Sequence, residues 1–227
     1  MSTKGIIYIA IGESHLKLAI NSAISIIKTG YNDKFLILTD VELKHTLKNC
    51  QIEFKDIGEI TNSIAELSPD RIVAYLKTRL YKYSPFSQTL YLDNDIRAVR
   101  CIDPIWNRAD NWIGFAPAYN PLTLSCEYPK YLEELATAHL LTDSDLLQYN
   151  SGMFLFGKSP ELVTFFDSWF KEWLRFKKHE NMALTRMLKR KNICVAPIPS
   201  IYNQFYPDKT DDSVLVHYID WYKRYLD

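Results

Sequence analysis

From Ile6 to Ile11 six residues run without a charge. Such a run has to be covered on both sides, as in a parallel-sheet strand buried under helices. It stops at Gly12. Ser14 offers an N-cap, and Leu16, Ala19, Ile20, Ala23, Ile24 and Ile27 recur at helical spacing before Gly30. The alternation continues. Phe35 to Leu38, Ile52 to Ile57 and Thr89 to Leu92 read as strands, and a helix is predicted from Arg71 to Tyr83, stopped by Pro85. Ile113 to Ala118, Met153 to Phe156, Ile193 to Ile198 and Val214 to Tyr218 are further strands. Leu162, Phe166, Trp169, Trp173 and Phe176 mark one helix face, and Asn181 to Lys191 a shorter helix. Strand and helix in alternation predict an α/β fold, a mostly parallel central sheet with flanking helices. Pro117 to Leu132 breaks every pattern and is expected to be a long loop with a short helix. No stretch reads as a linker, so 1–227 is expected to be a single domain.

Composition excludes several classes. With 27 basic and 27 acidic residues the net charge is zero, which argues against a nucleic-acid partner, because phosphate-backbone binding needs a basic surplus. Cys50, Cys101, Cys126 and Cys194 have no CxxC spacing, so they read as isolated thiols of a reducing compartment, not a zinc site. No apolar stretch reaches membrane-spanning length, and a cytoplasmic protein without a transmembrane segment is expected. Aromatic residues make up 14%, more than a core alone requires, and such rings can stack on sugars or bases.

The chemistry concentrates after the strand Thr89 to Leu92, where Asp93-Asn94-Asp95 follows. Ligands of open α/β sheets bind beyond strand carboxyl ends, and two carboxylates there suit a hard divalent cation. On an extended strand, i and i+2 lie roughly 6–7 Å apart. Both acids can therefore reach one ion only if the chain turns at Asn94 or one acts through water. The plain alternative is an Asx-type turn that ends the strand. Upstream, Ile72, Leu76, Leu80 and Tyr83 form a buried helical stripe with Arg79 at one edge and Lys77 on the other flank. Arg79 needs a partner there, either the acidic strand end or a phosphate; otherwise it snorkels and Lys77 is solvated. Asp40, after the second strand, reads equally as a ribose contact or a loop cap.

The stretch from Lys77 to Phe86, with Thr89-Leu90-Tyr91-Leu92-Asp93-Asn94-Asp95, resembles GT-A-type (Rossmann-like) glycosyltransferases, above all the family-eight-like nucleotide-diphospho-sugar transferases. Asn150-Ser151-Gly152, with Met153-Phe154-Leu155-Phe156 after it, is similar to that group's NSG segment and strand. Glu180-Asn181-Met182-Ala183-Leu184 stands where the group has DQxAL, each polar residue altered by one methylene. Val214-Leu215-Val216-His217 resembles its closing strand, which ends in a metal-binding His, although Ile219-Asp220-Trp221 departs from the usual continuation. The order of motifs matches over nearly the whole chain.

The resemblance implies a glycosyltransferase (a hexosyltransferase acting with retention) that uses Mn²⁺ or Mg²⁺ and a nucleotide-diphosphate sugar, UDP-linked above others, to glycosylate a glycan or other acceptor. Asp93, Asp95 and His217 would bind the metal, the imidazole favouring Mn²⁺. Without the resemblance His217 is an ordinary surface or core histidine. Tyr8, Ala10, Ile11, Lys77, Arg79 and Asn94 would meet the nucleotide, although Tyr8 by pattern is core. Asn150, Ser151 and Gly152 would line the sugar and acceptor side. Glu180 and Asn181 would join Asp93 and Asp95 as catalytic residues by binding sugar hydroxyls, although an acid at Glu180 is also an ordinary helix-start residue. Asp143, Asp145 and Glu180 are equal candidates for a base. Three other readings compete. A haloacid-dehalogenase-type phosphatase also carries DxD after a strand, but nearer the N-terminus and continued differently. A non-catalytic nucleotide-sugar or glycan-binding relative would keep the ligands. A sugar nucleotidyltransferase would need a Gly-rich basic loop that Ala10 to His15 lacks.

Overall fold

A computed structural model describes residues 3–42, 51–108, 112–122 and 147–218. In chain order the strands are β1 (Lys4–Ala10), β2 (Lys34–Thr39), β3 (Ile52–Asp56), β4 (Gln88–Leu92), β5 (Ile96–Ala98), β6 (Ile113–Leu122), β7 (Leu147–Phe156), β8 (Ala196–Pro197), β9 (Gln204–Phe205) and β10 (Leu215–His217). The α-helices are α1 (Glu13–Ile27), α2 (Gly58–Ser63), α3 (Pro69–Lys77), α4 (Pro160–Leu174) and α5 (Glu180–Lys191).

Seven strands form one sheet in the order β3-β2-β1-β4-β7-β6-β8; β5, β10 and β9 form a second. In the large sheet only β7 runs against its neighbours, pairing antiparallel with β4 and β6. The mixed α/β architecture is mostly parallel, as the alternation of patterns predicts.

The apolar run of β1 divides by residue parity. Ile6, Tyr8 and Ala10 join the core beneath α1, while Ile7, Ile9 and Ile11 join the core beneath α3, α4 and α5. Strand side chains alternate between faces, so a strand covered twice has no polar face to show. β7 divides likewise, Met153 and Leu155 on one side, Phe154 and Phe156 on the other. This second core is where the aromatic surplus goes. Phe115, Phe154, Phe156, Phe165, Phe166 and Trp169 pack with ring centroids 5.1–6.3 Å apart. Offset and edge-to-face rings pack well at these separations, so these rings serve the interior and not a stacking surface.

Several boundaries differ from expectation. The first helix starts at Glu13, and Gly12, at φ 80°, holds the N-cap position instead of Ser14. Asp40 Oδ1 accepts the Gly12 N–H at 2.8 Å, so Asp40 ties two strand ends together. The helix expected to end at Pro85 starts at Pro69 and stops at Lys77. Thr78 Oγ1 donates to the carbonyls of Ala74 and Tyr75, both at 3.0 Å, and such back-bonding competes with helix propagation. A 3-10 turn at Leu80–Lys82 follows. Residues 117–122, expected in a loop, continue β6, and only Ala196–Pro197 of the Ile193 to Ile198 run is strand. Cys101 and Cys194 are exposed free thiols; Cys50, Cys126 and positions 123–132 lie outside the described residues. No helix among the described residues is long and apolar enough to cross a membrane.

Candidate active site

The carboxyl ends of β1 and β4 lie side by side, because the strands pair in parallel with Ile7 opposite Tyr91. Past Leu92 the chain turns at Asn94, closed by the Ile96 N–H donating to the Asp93 carbonyl at 3.2 Å. Asn94 pins this turn to β1 by donating Nδ2 to the Ile9 carbonyl at 2.8 Å, while its Oδ1 is buried without a partner. A turn brings together two carboxylates that an extended strand would hold apart.

β5 leaves the turn and pairs antiparallel with β10, Ile96 opposite His217. That register sets His217 beside Asp95, with Nε2 3.2 Å from Asp95 Oδ1. Ligand atoms of Asp93, Asp95 and His217 all lie within 4.8 Å of one another. β9 holds the imidazole from behind. Phe205 stacks on it at 5.1 Å, and Asn203 Oδ1 lies 3.2 Å from Nδ1. Burial by itself would lower the His217 pKa, but the Asp95 carboxylate outweighs it and the net shift is upward.

β7 supplies the floor. Its register against β6 slips between the Phe115–Phe154 and Ala116–Asn150 pairs, so residues 151–153 bulge beside the acids. The Gly152 carbonyl accepts the Asp93 N–H at 2.7 Å. A Cβ on Gly152 would stand 2.7 Å from Asp93 Oδ2, Asn150 Oδ1 and His217 Cε1. Only glycine lets the acids and the imidazole close over this point.

Lys77, 2% exposed, ends α3 beneath the acids. Its Nζ is 3.1 Å from Asp93 Oδ1 and 2.7 Å from Glu180 Oε1. Burial alone would lower its pKa, but the two carboxylates raise it, so the ammonium stays charged. Burial likewise works to raise the Glu180 carboxyl, and Lys77 more than reverses this, leaving it below the ordinary value. The Tyr91 hydroxyl donates to Asp93 Oδ1 at 2.7 Å. Glu180 opens α5, and two indoles fix its approach: Trp169 Nε1 donates to the Glu180 carbonyl at 2.9 Å and Trp173 Nε1 to that of Lys178 at 3.1 Å. Ser151 Oγ donates to Glu180 Oε1, and Asn181 Oδ1 accepts the Ser151 N–H.

Asp93, Asp95, Asn94, Lys77 and Glu180 thus line one cleft of about 270 Å³, with His217 against the acids. Asn150, Ser151 and Asn181 sit behind it, bracing its walls. Two expected nucleotide contacts fall elsewhere. Tyr8 is fully buried and its hydroxyl pairs with Ser22 Oγ at 2.9 Å, so its side chain belongs to the core. Arg79 follows the break after Lys77 and leaves the stripe; its guanidinium lies over the Tyr75 and Phe170 rings, 4.9 Å from each, and donates to the Tyr75 hydroxyl. Ala10 and Ile11 are buried, and Ile9 lines the cleft in their place. Asp143 and Asp145 lie outside the described residues.

The cleft also contains His15, Asp70, Val73 and Tyr91, none singled out from the sequence. Asp70, Val73 and Lys77 stand at i, i+3 and i+7 of α3, so tracing the Lys77 face backwards would have found two of them. His15 carried no such signal.

No protein-family model and no curated protein matches the chain. Solved structures do. Mouse xyloside xylosyltransferase 1, in its apo form, superposes with a TM-score of 0.66 at 12% identity, covering 96% of this chain and 98% of that one. The galactosyltransferase LgtC, in complex with donor and acceptor sugar analogs, gives 0.66 at 17% identity over 95% of this chain and 87% of that one. The bifunctional glycosyltransferase WbbM gives 0.62 at 12%, covering 96% of this chain and 46% of that one. The chain has the GT-A fold. Within that GT-A frame, the carboxylate turn stands at the carboxyl ends of β1 and β4, where open α/β sheets bind ligands.

Proposed function

We propose that this chain is a metal-dependent glycosyltransferase that moves a sugar from a nucleotide-diphosphate donor, UDP-linked, to a glycan or other hydroxyl-bearing acceptor. The observation that carries this reading is the convergence of Asp93, Asp95 and His217 within 4.8 Å beside a buried, charged Lys77. Two carboxylates and an imidazole make a donor set suited to Mn²⁺, or to Mg²⁺ with more water. The glycine cradle at Gly152 supports a fit, since any side chain there would fill the space between the ligands. Such a cation would supply Lewis-acid neutralisation of the leaving diphosphate.

In the transfer, the acceptor hydroxyl oxygen bonds to the anomeric carbon as the bond from that carbon to the diphosphate oxygen breaks. The electron pair leaves with the nucleoside diphosphate, and the hydroxyl proton passes to that diphosphate or to solvent. Lys77 is placed to stabilise charge developing on the phosphates. Glu180 Oε1 is held by Lys77 and Ser151, which leaves the second oxygen for a sugar hydroxyl. Asn94 Oδ1, buried and unpartnered beside the end of β1, suits a ribose hydroxyl or base N–H after a small local opening. We read the transfer as retaining by resemblance.

Thermal-shift measurements against a panel of nucleotide sugars test this reading. A UDP-sugar with Mn²⁺ is expected to raise Tm well above either alone, and release of UDP should then follow with an acceptor or water. Binding without release under any acceptor would favour a non-catalytic role, and no response to any nucleotide sugar would sink the reading.

Asn203 gives a second test. With its Oδ1 accepting a hydrogen bond from His217 Nδ1–H, Nε2 is left as the ligand nitrogen, and removing such an outer partner typically weakens metal binding about 10–100-fold. Asn203→Ala should lower Mn²⁺ affinity in a titration followed by Mn²⁺ electron paramagnetic resonance. Unchanged affinity would show that the pair does not orient the ring.

A further inference from the structure

A second cavity, of about 320 Å³, adjoins the cleft and shares Asp70 and Glu180 with it. Its remaining walls are Ser68, Arg71, Lys178 and His179. Arg71 and Lys178 are paired with no carboxylate among the described residues. Neither serves its own helix. Arg71 is in the first turn of α3 and Lys178 stands just before α5, both at the positive end of a helix dipole, where a cation is unfavourable. Of the two acids in the walls, Glu180 is already matched by Lys77.

The segment that carries Lys178 is basic along the chain. The chain as a whole is neutral, yet from Lys171 to Lys191 it carries eight Lys and Arg against Glu172 and Glu180. Glu172 is itself held by Arg175 at 3.0 Å and by the buried Arg186 at 2.9 Å. Of the eight, Lys178 alone lines the cavity, Lys189, Arg190 and Lys191 lie at the far end of α5, and Arg190 also reaches Glu172.

We propose that this second cavity is the acceptor subsite and that the acceptor is anionic, a sugar bearing a carboxylate or phosphate that Arg71 and Lys178 bind while Asp70 accepts hydrogen bonds from its hydroxyls. This rests on the transferase reading, and it names the substrate class of the same site. Arg71 offers two parallel donors, which matches a carboxylate or phosphate, and Lys178 adds a point charge. The two cavities share Asp70 and Glu180, so an acceptor held in the second would lie next to the donor cleft.

The test is equilibrium binding by calorimetry on the full chain, which needs no transfer to occur. Glucuronic acid and glucose 6-phosphate are compared with glucose and with inorganic phosphate, for the wild type and for the double variant Arg71→Gln, Lys178→Gln. Hydrogen bonds to charged groups support a preference of about tenfold or more for the anionic sugars over glucose. The double variant should lose that preference while keeping its ligand-free Tm, since Arg71 is exposed, Lys178 is half-buried, and neither belongs to the core. Equal binding of glucose and the anionic sugars, a preference unchanged in the variant, or inorganic phosphate binding as tightly as glucose 6-phosphate would each overturn the proposal. Failure to release UDP from any donor would instead strike the transferase reading, and the binding preference would still be measured independently of it.

Discussion

Asp95→Asn is expected to abolish metal-dependent donor cleavage, with a loss on the order of 10³-fold or more in kcat/KM, since charge neutralisation by a bound cation is worth several kcal/mol. Asp95 is 9% exposed, its carboxylate is 3.2 Å from His217 Nε2, and it stands in the same 4.8 Å cluster as Asp93. An amide keeps the shape and still accepts a hydrogen bond, so the fold should survive while a charged ligand is lost. The loss should therefore appear in activity and Mn²⁺ affinity together, with a change of at most a few degrees in Tm. UDP release assayed across a Mn²⁺ titration decides it. Wild-type turnover at saturating Mn²⁺ would mean that Asp95 is no ligand, and the cluster would then be only a turn and its buried neighbours.

Lys77→Met is expected to cost stability as well as activity. Lys77 neutralises Asp93 and Glu180, and removing one partner of a buried ion pair leaves uncompensated charge, at a cost of about 3 kcal/mol. For a chain of this length that corresponds to a Tm about 6–12 °C lower. The pH dependence carries a sign. In the wild type Glu180 sits below its ordinary 4.5, so its contribution is present above that pH and is lost as pH falls through the folded-state value. Without Lys77, burial, the largest influence on Glu180, is opposed only by the hydrogen bonds from Ser151 and from the backbone, so the carboxyl shifts upward from its wild-type position. The folded variant then takes up a proton more readily than the folded wild type, and the stability gap to wild type should narrow as pH falls from neutral to below 4.5. Mn²⁺ should also narrow the gap by neutralising Asp93. Chemical denaturation at several pH values would expose the error if the gap were constant.

Both predictions depend on contacts of very different sequence separation. Asp93 and Asp95 are neighbours, and their turn could be anticipated from the distance an extended strand imposes. Glu180 lies far along the chain from Lys77, and nothing local announces that they touch. The resemblance pointed to His217, but the register of β10 against β5 put it on Asp95. Arg79 shows the reverse failure. Its place at the edge of a stripe assumed an unbroken helix to Tyr83, and the Thr78 hydroxyl ended that helix two turns early. Tyr8 was readable as core from parity alone, and the structure agrees with that pattern over the suggested base contact.

The amino-acid order alone determined the layered α/β architecture, because an uncharged run can be satisfied only by cover on both faces and helical spacing shows which segments supply it. It also placed two carboxylates at a strand end, whereas the turn at Asn94 that brings them together was only one of the alternatives it allowed. Tertiary structure decided everything that needs distant segments to meet: the imidazole against Asp95, the ammonium between Asp93 and Glu180, and the cavity between the starts of α3 and α5. Local propensity acts over a few residues, whereas these contacts follow from strand register and helix docking, to which the packing of the whole chain contributes.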